Sequence, residues 1–429
     1  MPIYAGLIGF GNVGTGVVEY FQRGNGEPYG VELKKVAVAN TAKPRDVSFP
    51  YVTGDVDDIL KDSDIKIVIE LMGGQTPATE YILDALDRRK SVVTANKAVI
   101  SRYAKELFGA ARGRGVDLAF EASVAGGIPI IRTLRGYKGD RINSIVGILN
   151  GTTNYILSRM EDGMDFDAAL RLAQQKGFAE AEHALDTGGY DARDKIAILA
   201  SLAYNTQIKP EDIYCEGITE ITPIDLDFAG KYEVEEGGKG YTIKLLASAV
   251  RYDNKLELHV YPALVRKEHP LAAVRDEFNA VYIEGELCGA QTYQGRGAGR
   301  NATTSAVITD VIRVADNIKN GITDELPSLD SRYDFVDIGN VERRGYVRVD
   351  LRHKPLSIAR ASTILGTHGF NIEDSIQRKA FMKTIDGEMV IPNIITSEPL
   401  PYRTVQDALE ELARSDRVHG RPFYLRFED

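Results

Sequence analysis

The sequence predicts an α/β chain: a Rossmann-type doubly wound parallel sheet, then an α+β block, then a C-terminal ferredoxin-like βαββαβ unit. Three observations lead there. Gly9-Phe10-Gly11-Asn12-Val13-Gly14 sits between an apolar run, Ile3 to Ile8, and a helix-like stretch, Val13 to Phe21. The first third then alternates runs apolar on both faces with helical patterns, which is how a parallel sheet covered on both sides reads. Residues 345–429 alternate strand and helix patterns in βαββαβ order.

In the first region, residues 1–135, the strands are read at Ile3–Ile8, Lys35–Ala39, Ile65–Leu71, Ser91–Ala95 and Asp117–Phe120. Pro77–Arg88 reads as one of the intervening helices, with Thr76 as its N-cap and Pro77 at the first helical position. Residues 136–303 lose this alternation. Asn143–Leu149 and Lys255–Val265 look like strands there, while Ala168–Gln175 and Asp191–Tyr204 look helical. Thr304–Ile318 resumes a helical pattern through Val307, Val311, Ala315 and Ile318, and residues 304–320 are expected to pack back on the first region. A charged linker, residues 321–344, precedes the last unit. Its strands are read at Tyr346–Leu351, Ile372–Arg378, Glu388–Ile395 and Pro422–Phe427, and its helices at Leu356–His368 and Val405–Arg414.

The glycine turn carries a specific chemistry. The first glycine permits a tight turn, the second lets the backbone approach a pyrophosphate, and the third allows close helix–strand packing. The following helix N-terminus offers unpaired N–H groups to phosphates. A net charge of −10 argues against nucleic acid or an anionic membrane as the main partner. Only two cysteines occur, Cys215 and Cys288, far apart and without a CxxC pair, as in a reduced cytoplasmic protein. No apolar run approaches the ~20 residues that span a bilayer. The six histidines are scattered and fit no zinc spacing.

Three further segments are candidates for chemistry. Glu180, Glu182, Asp186, Asp191, Asp194 and Lys195 gather around Gly188-Gly189 and lead into a helix apolar nearly all round. Asp191 and Lys195 share a helix face, as an ordinary surface ion pair also would. Burial of that helix would place Lys195 at the mouth of a dry environment, where desolvation lowers a lysine pKa and a nearby carboxylate opposes it. Thr94-Ala95-Asn96-Lys97 ends a parallel strand, at the edge where open α/β sheets bind ligands. Glu121 to Pro129 follows the next strand, and a carboxylate beside a glycine-rich loop either binds a cation or is simply hydrogen-bonded.

Taken together, GFGNVG, TANKAVIS (94–101), EASVAGGIP (121–129), NGTTNYIL (150–157), GFAEAE (177–182), GYDARDK (189–195) and GRGAGRNATTSAV (295–307) resemble the homoserine dehydrogenase family across essentially the whole chain. The resemblance implies NAD(P)-dependent interconversion of L-aspartate 4-semialdehyde and L-homoserine, in threonine, methionine and isoleucine biosynthesis. It implies Lys195 as general acid, Glu180 and Asp191 as substrate-binding, and Lys97 between nicotinamide and substrate. Residues 136–303 then form the catalytic and dimerisation domain. Gly9 to Gly14, including Phe10, Asn12 and Val13, would contact the cofactor together with Thr94, Gly177, Gly297 and Gly299. Glu121, Val124, Gly126 and Ile128 match the family's loop for sodium or another monovalent cation. The last unit looks like an ACT domain, an amino-acid sensor. A cytoplasmic homodimer or homotetramer is implied as well.

Several positions depart from the family pattern. Glu182-His183 replaces the usual Asp-Pro, Thr187 stands for an aliphatic residue, and Ala302 for a proline. After the second strand, Val38-Ala39-Asn40-Thr41 carries no acid for a ribose hydroxyl, and Lys43 and Arg45 follow; this favours NADP and leaves NAD open. The sensor loop reads His353-Lys354-Pro355-Leu356 where ACT domains often have Arg-Pro-Gly, which leaves open whether threonine, another amino acid or no effector binds there. An oxidoreductase for a different semialdehyde and a non-catalytic nucleotide sensor are the competing readings. Lys195, Asp191 and Glu180 argue against the sensor.

Overall fold

The computed structural model describes residues 2–234 and 237–428. They form two compact units, each assembled from separate stretches of chain. One comprises residues 2–145 with Arg193–Ile213 and Asn279–Tyr333; the other comprises Val146–Ala192, Tyr214–Phe278 and residues 334–428.

The first unit is built on six parallel strands: β1 (Ile3–Ile8), β2 (Val31–Ala37), β3 (Val52–Thr53), β4 (Ile65–Glu70), β5 (Ser91–Thr94) and β6 (Leu118–Ala119). They lie side by side in the order β3-β2-β1-β4-β5-β6. That is the doubly wound arrangement, whose order reverses between β1 and β4 and opens a ligand crevice beyond their carboxyl ends. Strands such as Ile65–Glu70 bury all but one residue because helices cover both faces. The second strand begins earlier than its apolar pattern suggests, and the two-residue edge strand Val52–Thr53 carries no pattern at all.

One covering helix arrives late in the sequence. Val307, Val311 and Val314 of helix Arg300–Asn320 join Val17 and Val18 of helix Asn12–Gln22 and Leu7 of β1 in one buried cluster. The helix expected from Pro77 begins instead at Ala78, with Pro77 in the cap position after a cis Thr76–Pro77 peptide bond. Thr79 N–H already bonds Gln75 C=O (2.9 Å), so the chain is turning before the proline and Thr76 has no capping position to fill.

In the second unit, strands Tyr241–Tyr252, Lys255–Arg266, Val418–Glu428, Glu342–Arg352, Glu388–Pro401 and Ile372–Gln377 neighbour one another in that order. The last four are mutually antiparallel. Numbered along the chain they run 4-1-3-2, and helices Ser357–Thr367 and Tyr402–Ala413 close one face over Val347, Val349, Leu351, Ile364, Leu365, Ala408 and Leu412. This is the βαββαβ arrangement read from the sequence. At its first loop Leu356 takes φ +67 while 75% exposed. That left-handed backbone suits glycine and costs a leucine about 1–2 kcal/mol.

Tyr241–Tyr252 was not predicted, because Lys244 interrupts its apolar run. The lysine is buried nonetheless, donating to Val274 C=O (2.6 Å) and Asn154 Oδ1 (3.3 Å). Burial pushes its pKa down from 10.5 to about 8. Between those values the unfolded chain binds more protons than the folded one, so stability rises with pH across that window, and the cost of the charge is complete below pH 8. Lys244→Met is expected to raise the unfolding free energy by up to about 3 kcal/mol at pH 7 and by less than about 1 kcal/mol at pH 10. Denaturant titrations at the two pH values check this; an equal effect at both would refute it.

Candidate functional site

The glycine turn follows β1. Gly9 has φ +104, and a Cβ there would stand 2.6 Å from the Leu71 carbonyl oxygen. A Cβ on Gly14 would overlap the Gly9 carbonyl. Gly11 differs from both: its φ is −87, open to any residue, and a Cβ would meet no atom within 4 Å. Backbone and packing therefore require the first and third glycines, whereas the second faces empty space at the head of helix Asn12–Gln22. An anion seated against those N–H groups fills such a space. Phe10 lies beneath the Arg45 guanidinium, 5.3 Å from ring to cation, and Arg45 also donates to the Asn40 carbonyl (2.9 Å). The cations foreseen beyond the second strand thus include one on the glycine turn itself. Thr304 Oγ1 approaches Val13 C=O (3.4 Å), and Gly299, φ +99, opens the helix that carries Thr304.

At the ends of β4 and β5 lies a polar cluster that joins Thr94, Asn96 and Lys97 to Glu70. Thr94 donates to Glu70 Oε2 (2.5 Å) and accepts from Asn96 N–H (2.9 Å). Asn96 caps helix Lys97–Arg114 through Val99 N–H (3.3 Å) and donates to Gly74 C=O (2.8 Å). Glu70, fully buried, also accepts from Met72 N–H (2.7 Å), and burial raises its pKa despite those bonds. Lys97 is thereby fixed as the first residue of its helix, half-buried. A carboxylate directly after the apolar run Ile67–Ile69 was the available signal for Glu70.

Glu121 is buried, and its carboxylate is engaged by protein. Oε1 accepts from Ile131 N–H (2.8 Å), and Oε2 accepts from Arg132 N–H (3.0 Å) and Nε (3.2 Å). Burial and the neighbouring Asp310 raise its pKa. The loop through Val124, Gly126 and Ile128 lies against Arg296–Gly297: Gly127 N–H bonds Arg296 C=O (2.9 Å), and a Cβ on Gly126 would stand 2.9 Å from the Gly297 carbonyl. Gly297 leaves no room for a side chain because Asn279 packs on it, and Asn279 is fully buried with neither amide atom hydrogen-bonded. Among the described residues no three His, Cys, Asp or Glu side chains cluster as a metal site.

In the second unit Asn150 is the hub. Its Nδ2 donates to both Asp186 Oδ1 (2.7 Å) and Asp191 Oδ2 (2.9 Å), while its Oδ1 caps the next helix through Thr153 N–H (2.8 Å). Thr152 Oγ1 donates to the Phe178 carbonyl (2.5 Å), tying the same helix to the Gly177–Glu182 loop. Gly177, φ +74, closes helix Phe166–Gln175. Glu180 is exposed and Asp191 half-buried. Asp191 stands out in the sequence, but nothing local marks Asn150, since the hydrogen bonds join segments about 40 residues apart. Helix Tyr190–Tyr204 starts in this unit, but its residues from Arg193 onward belong to the first; there it is apolar and buried through Ile196, Ala197, Ile198 and Leu199, and Lys195 is only 8% exposed.

The family model of homoserine dehydrogenase matches residues 129–312, and that of the homoserine dehydrogenase NAD binding domain matches residues 9–121. Homoserine dehydrogenase of Synechocystis sp. is 40% identical over 445 residues, covering 99% of each chain. That of Bacillus subtilis is 37% identical over 435 residues, covering 97% of this chain and 98% of its own. The crystal structure of a homoserine dehydrogenase from Thiobacillus denitrificans aligns over 100% of this chain and 99% of its own, with TM-score 0.88 and 34% identity. A hyperthermophilic archaeal homoserine dehydrogenase in complex with NADPH covers 74% of this chain and 98% of its own, with TM-score 0.60 and 25% identity. With its glycine turn, its parallel sheet and this likeness from end to end, the chain belongs to the homoserine dehydrogenase family.

Proposed function

We propose that the chain interconverts L-homoserine and L-aspartate 4-semialdehyde with Lys195 as the proton donor and acceptor. The observation that carries the reading is the Asn150–Asp186–Asp191 cluster at the head of a helix whose next turn buries Lys195. A bound nicotinamide cofactor supplies the hydride. Lys195 Nζ gives a proton to the carbonyl oxygen when the semialdehyde is reduced and takes it back from the hydroxyl in the reverse direction. Glu180 and Asp191 hold the substrate's ammonium group through their negative charge. Lys97 orients substrate and cofactor from its fixed place at a helix start.

The residues present fit a dinucleotide: Gly11 leaves the space a pyrophosphate needs, and Gly9, Phe10, Asn12, Val13, Gly14, Thr94, Gly177, Gly297 and Gly299 are assigned to hold the cofactor. NADP is favoured over NAD because Arg45 stands on the glycine turn where no acid is present. Arg45→Ala is expected to raise the KM for NADP by about 10–100-fold, as loss of a charged hydrogen bond does, and to change that for NAD by less than about threefold. Equal effects on both cofactors would count against the assignment.

A monovalent cation, sodium in the first instance, is assigned to Glu121 with the carbonyls of Val124, Gly126 and Ile128. The carboxylate of Glu121 is already held by amides, and the unbonded amide of Asn279 beside Gly297 supports a missing polar neighbour there. The βαββαβ unit, residues 345–429, is assigned as an ACT-like sensor of an amino acid, supported by its strand order and by the glycine-like backbone kept at Leu356. A cytoplasmic homodimer or homotetramer completes the reading. No helix among the described residues is long and apolar enough to cross a membrane.

Nicotinamide absorbance, followed with homoserine and each oxidised cofactor, tests the reading. Reduction of NADP with homoserine is expected. Turnover only with other alcohols would replace the substrate, and no turnover with any would return the chain to the sensor class.

A further inference from the structure

One short segment of the second unit, residues 214–225, touches the substrate loop on one side and the βαββαβ block on the other. Toward the loop it is packed without slack. Ile218 N–H donates to Thr187 C=O (2.8 Å), and Cys215 Sγ reaches Gly188 C=O (3.4 Å). A Cβ on Gly217 would overlap the Thr187 carbonyl, and one on Gly189 would stand 3.0 Å from the Glu216 carbonyl oxygen. Asp186 and Asp191 flank this same turn.

On the other side the segment is bolted at two points by arginines of the C-terminal block. Arg426, 2% exposed, donates to both oxygens of Glu216 (2.9 and 3.0 Å), with the rings of Tyr402 and Tyr261 at 4.2 and 4.3 Å from its guanidinium. The hydroxyls of Tyr214 and Tyr402 also reach Glu216 Oε1. Burial alone would raise the Glu216 pKa, but Arg426 and the tyrosine hydroxyls outweigh it and hold the carboxyl below its ordinary range, so it stays ionised. Arg348 clamps the far end, donating to Asp225 Oδ2 (2.6 Å), the Glu220 carbonyl (3.2 Å) and Thr222.

We propose that Glu216 and Arg426 are positioning residues that fix the turn presenting Asp191, so that the C-terminal block sets homoserine affinity and leaves cofactor affinity alone. This rests on Asp191 as a substrate-binding carboxylate. Because the pair is charged and close-fitting, with Arg426 buried and Glu216 partly so, movement of strand Val418–Glu428 must carry Glu216 with it or break the pair. Gly217, one residue on, then transmits the movement by direct packing, since the turn has no space in which to absorb it.

The full chain carrying Glu216→Gln or Gly217→Ala tests this, with homoserine KM, kcat and NADPH affinity by nucleotide fluorescence measured together. A homoserine KM raised by about 10-fold or more is expected, with kcat changed less than about threefold and NADPH affinity within about twofold. An unchanged KM in either folded variant overturns the proposal. Parallel losses of KM, kcat and NADPH affinity also overturn it, since they mark a merely structural role. If Glu216→Gln does not fold, Arg426→Lys, which keeps the charge but loses the two-pronged geometry, is judged by the same split. Asp191→Asn separates the two possible failures. If it leaves KM unchanged, the substrate reading falls and the proposal with it. If it raises KM while Glu216→Gln does not, only the positioning role falls.

Discussion

Lys195→Ala is expected to lower turnover by about 10²–10⁴-fold, the range of a lost general acid, while NADPH affinity stays within about twofold. The expectation follows from where the lysine stands. It is buried on a helix whose following residues, Ile196 to Ala200, are all inaccessible, so water cannot easily take over as proton donor. Its Nζ is a charge on a flexible stem, suited to deliver a proton and then recover one. Single-turnover reduction of the semialdehyde, with NADPH binding measured on the same sample, checks the assignment. Near-wild-type turnover would remove Lys195 from the proton transfer. A joint loss of turnover and NADPH binding would make it a packing residue instead. Partial rescue by added primary amines of suitable size would strengthen the proton-transfer role.

Gly11→Val is expected to weaken NADPH binding by about 100-fold, equal to ~2.8 kcal/mol, without lowering the thermal midpoint by more than about 2 °C. Gly14→Ala is expected to do the opposite in its order of effects: destabilisation by about 1–3 kcal/mol, with affinity lost because the turn is lost. The contrast comes from the surroundings. A Cβ at position 14 overlaps a backbone carbonyl, which cannot move away, whereas one at position 11 projects into empty space on an unstrained backbone. Thermal melts and fluorescence titrations of both variants separate the cases. Undiminished NADPH binding by a folded Gly11→Val variant would show that the space serves something other than the cofactor.

How far the sequence anticipates the molecule depends on the kind of interaction. The parallel strands were legible because burial on both faces writes a nearly continuous apolar run, as in Ile3–Ile8 and, with only the exposed Lys66 interrupting it, Ile65–Ile69. Strand Tyr241–Tyr252 was not, because Lys244 satisfies its charge against Val274 and Asn154, far away in sequence. The hairpin Phe278–Gly285 and Gly289–Arg296 was missed too, since its second strand is largely exposed and polar. In the site, spacing disclosed the glycine turn and the Asp191–Lys195 helix face. Glu70 and Asn150 act through side-chain hydrogen bonds between distant segments, and no local pattern records those. The helical start at Pro77 shifts by one residue for a local reason: the turn that joins Gln75 C=O to Thr79 N–H already encloses Thr76 and Pro77.

The late arrival of helix Arg300–Asn320 has a consequence for biosynthesis. Val17 and Val18 find their cover in Val307 and Val311. About 290 residues must leave the ribosome between them, which at ~5–20 residues per second takes roughly 15–60 s. Through that interval the nascent glycine-turn helix shows water an apolar stripe that the finished enzyme never exposes. A ribosome stalled before Arg300 carries the first unit's sheet without its last helix, a client surface for chaperones. The cofactor-binding half, though made first, is completed only after nearly three quarters of the chain has been synthesised.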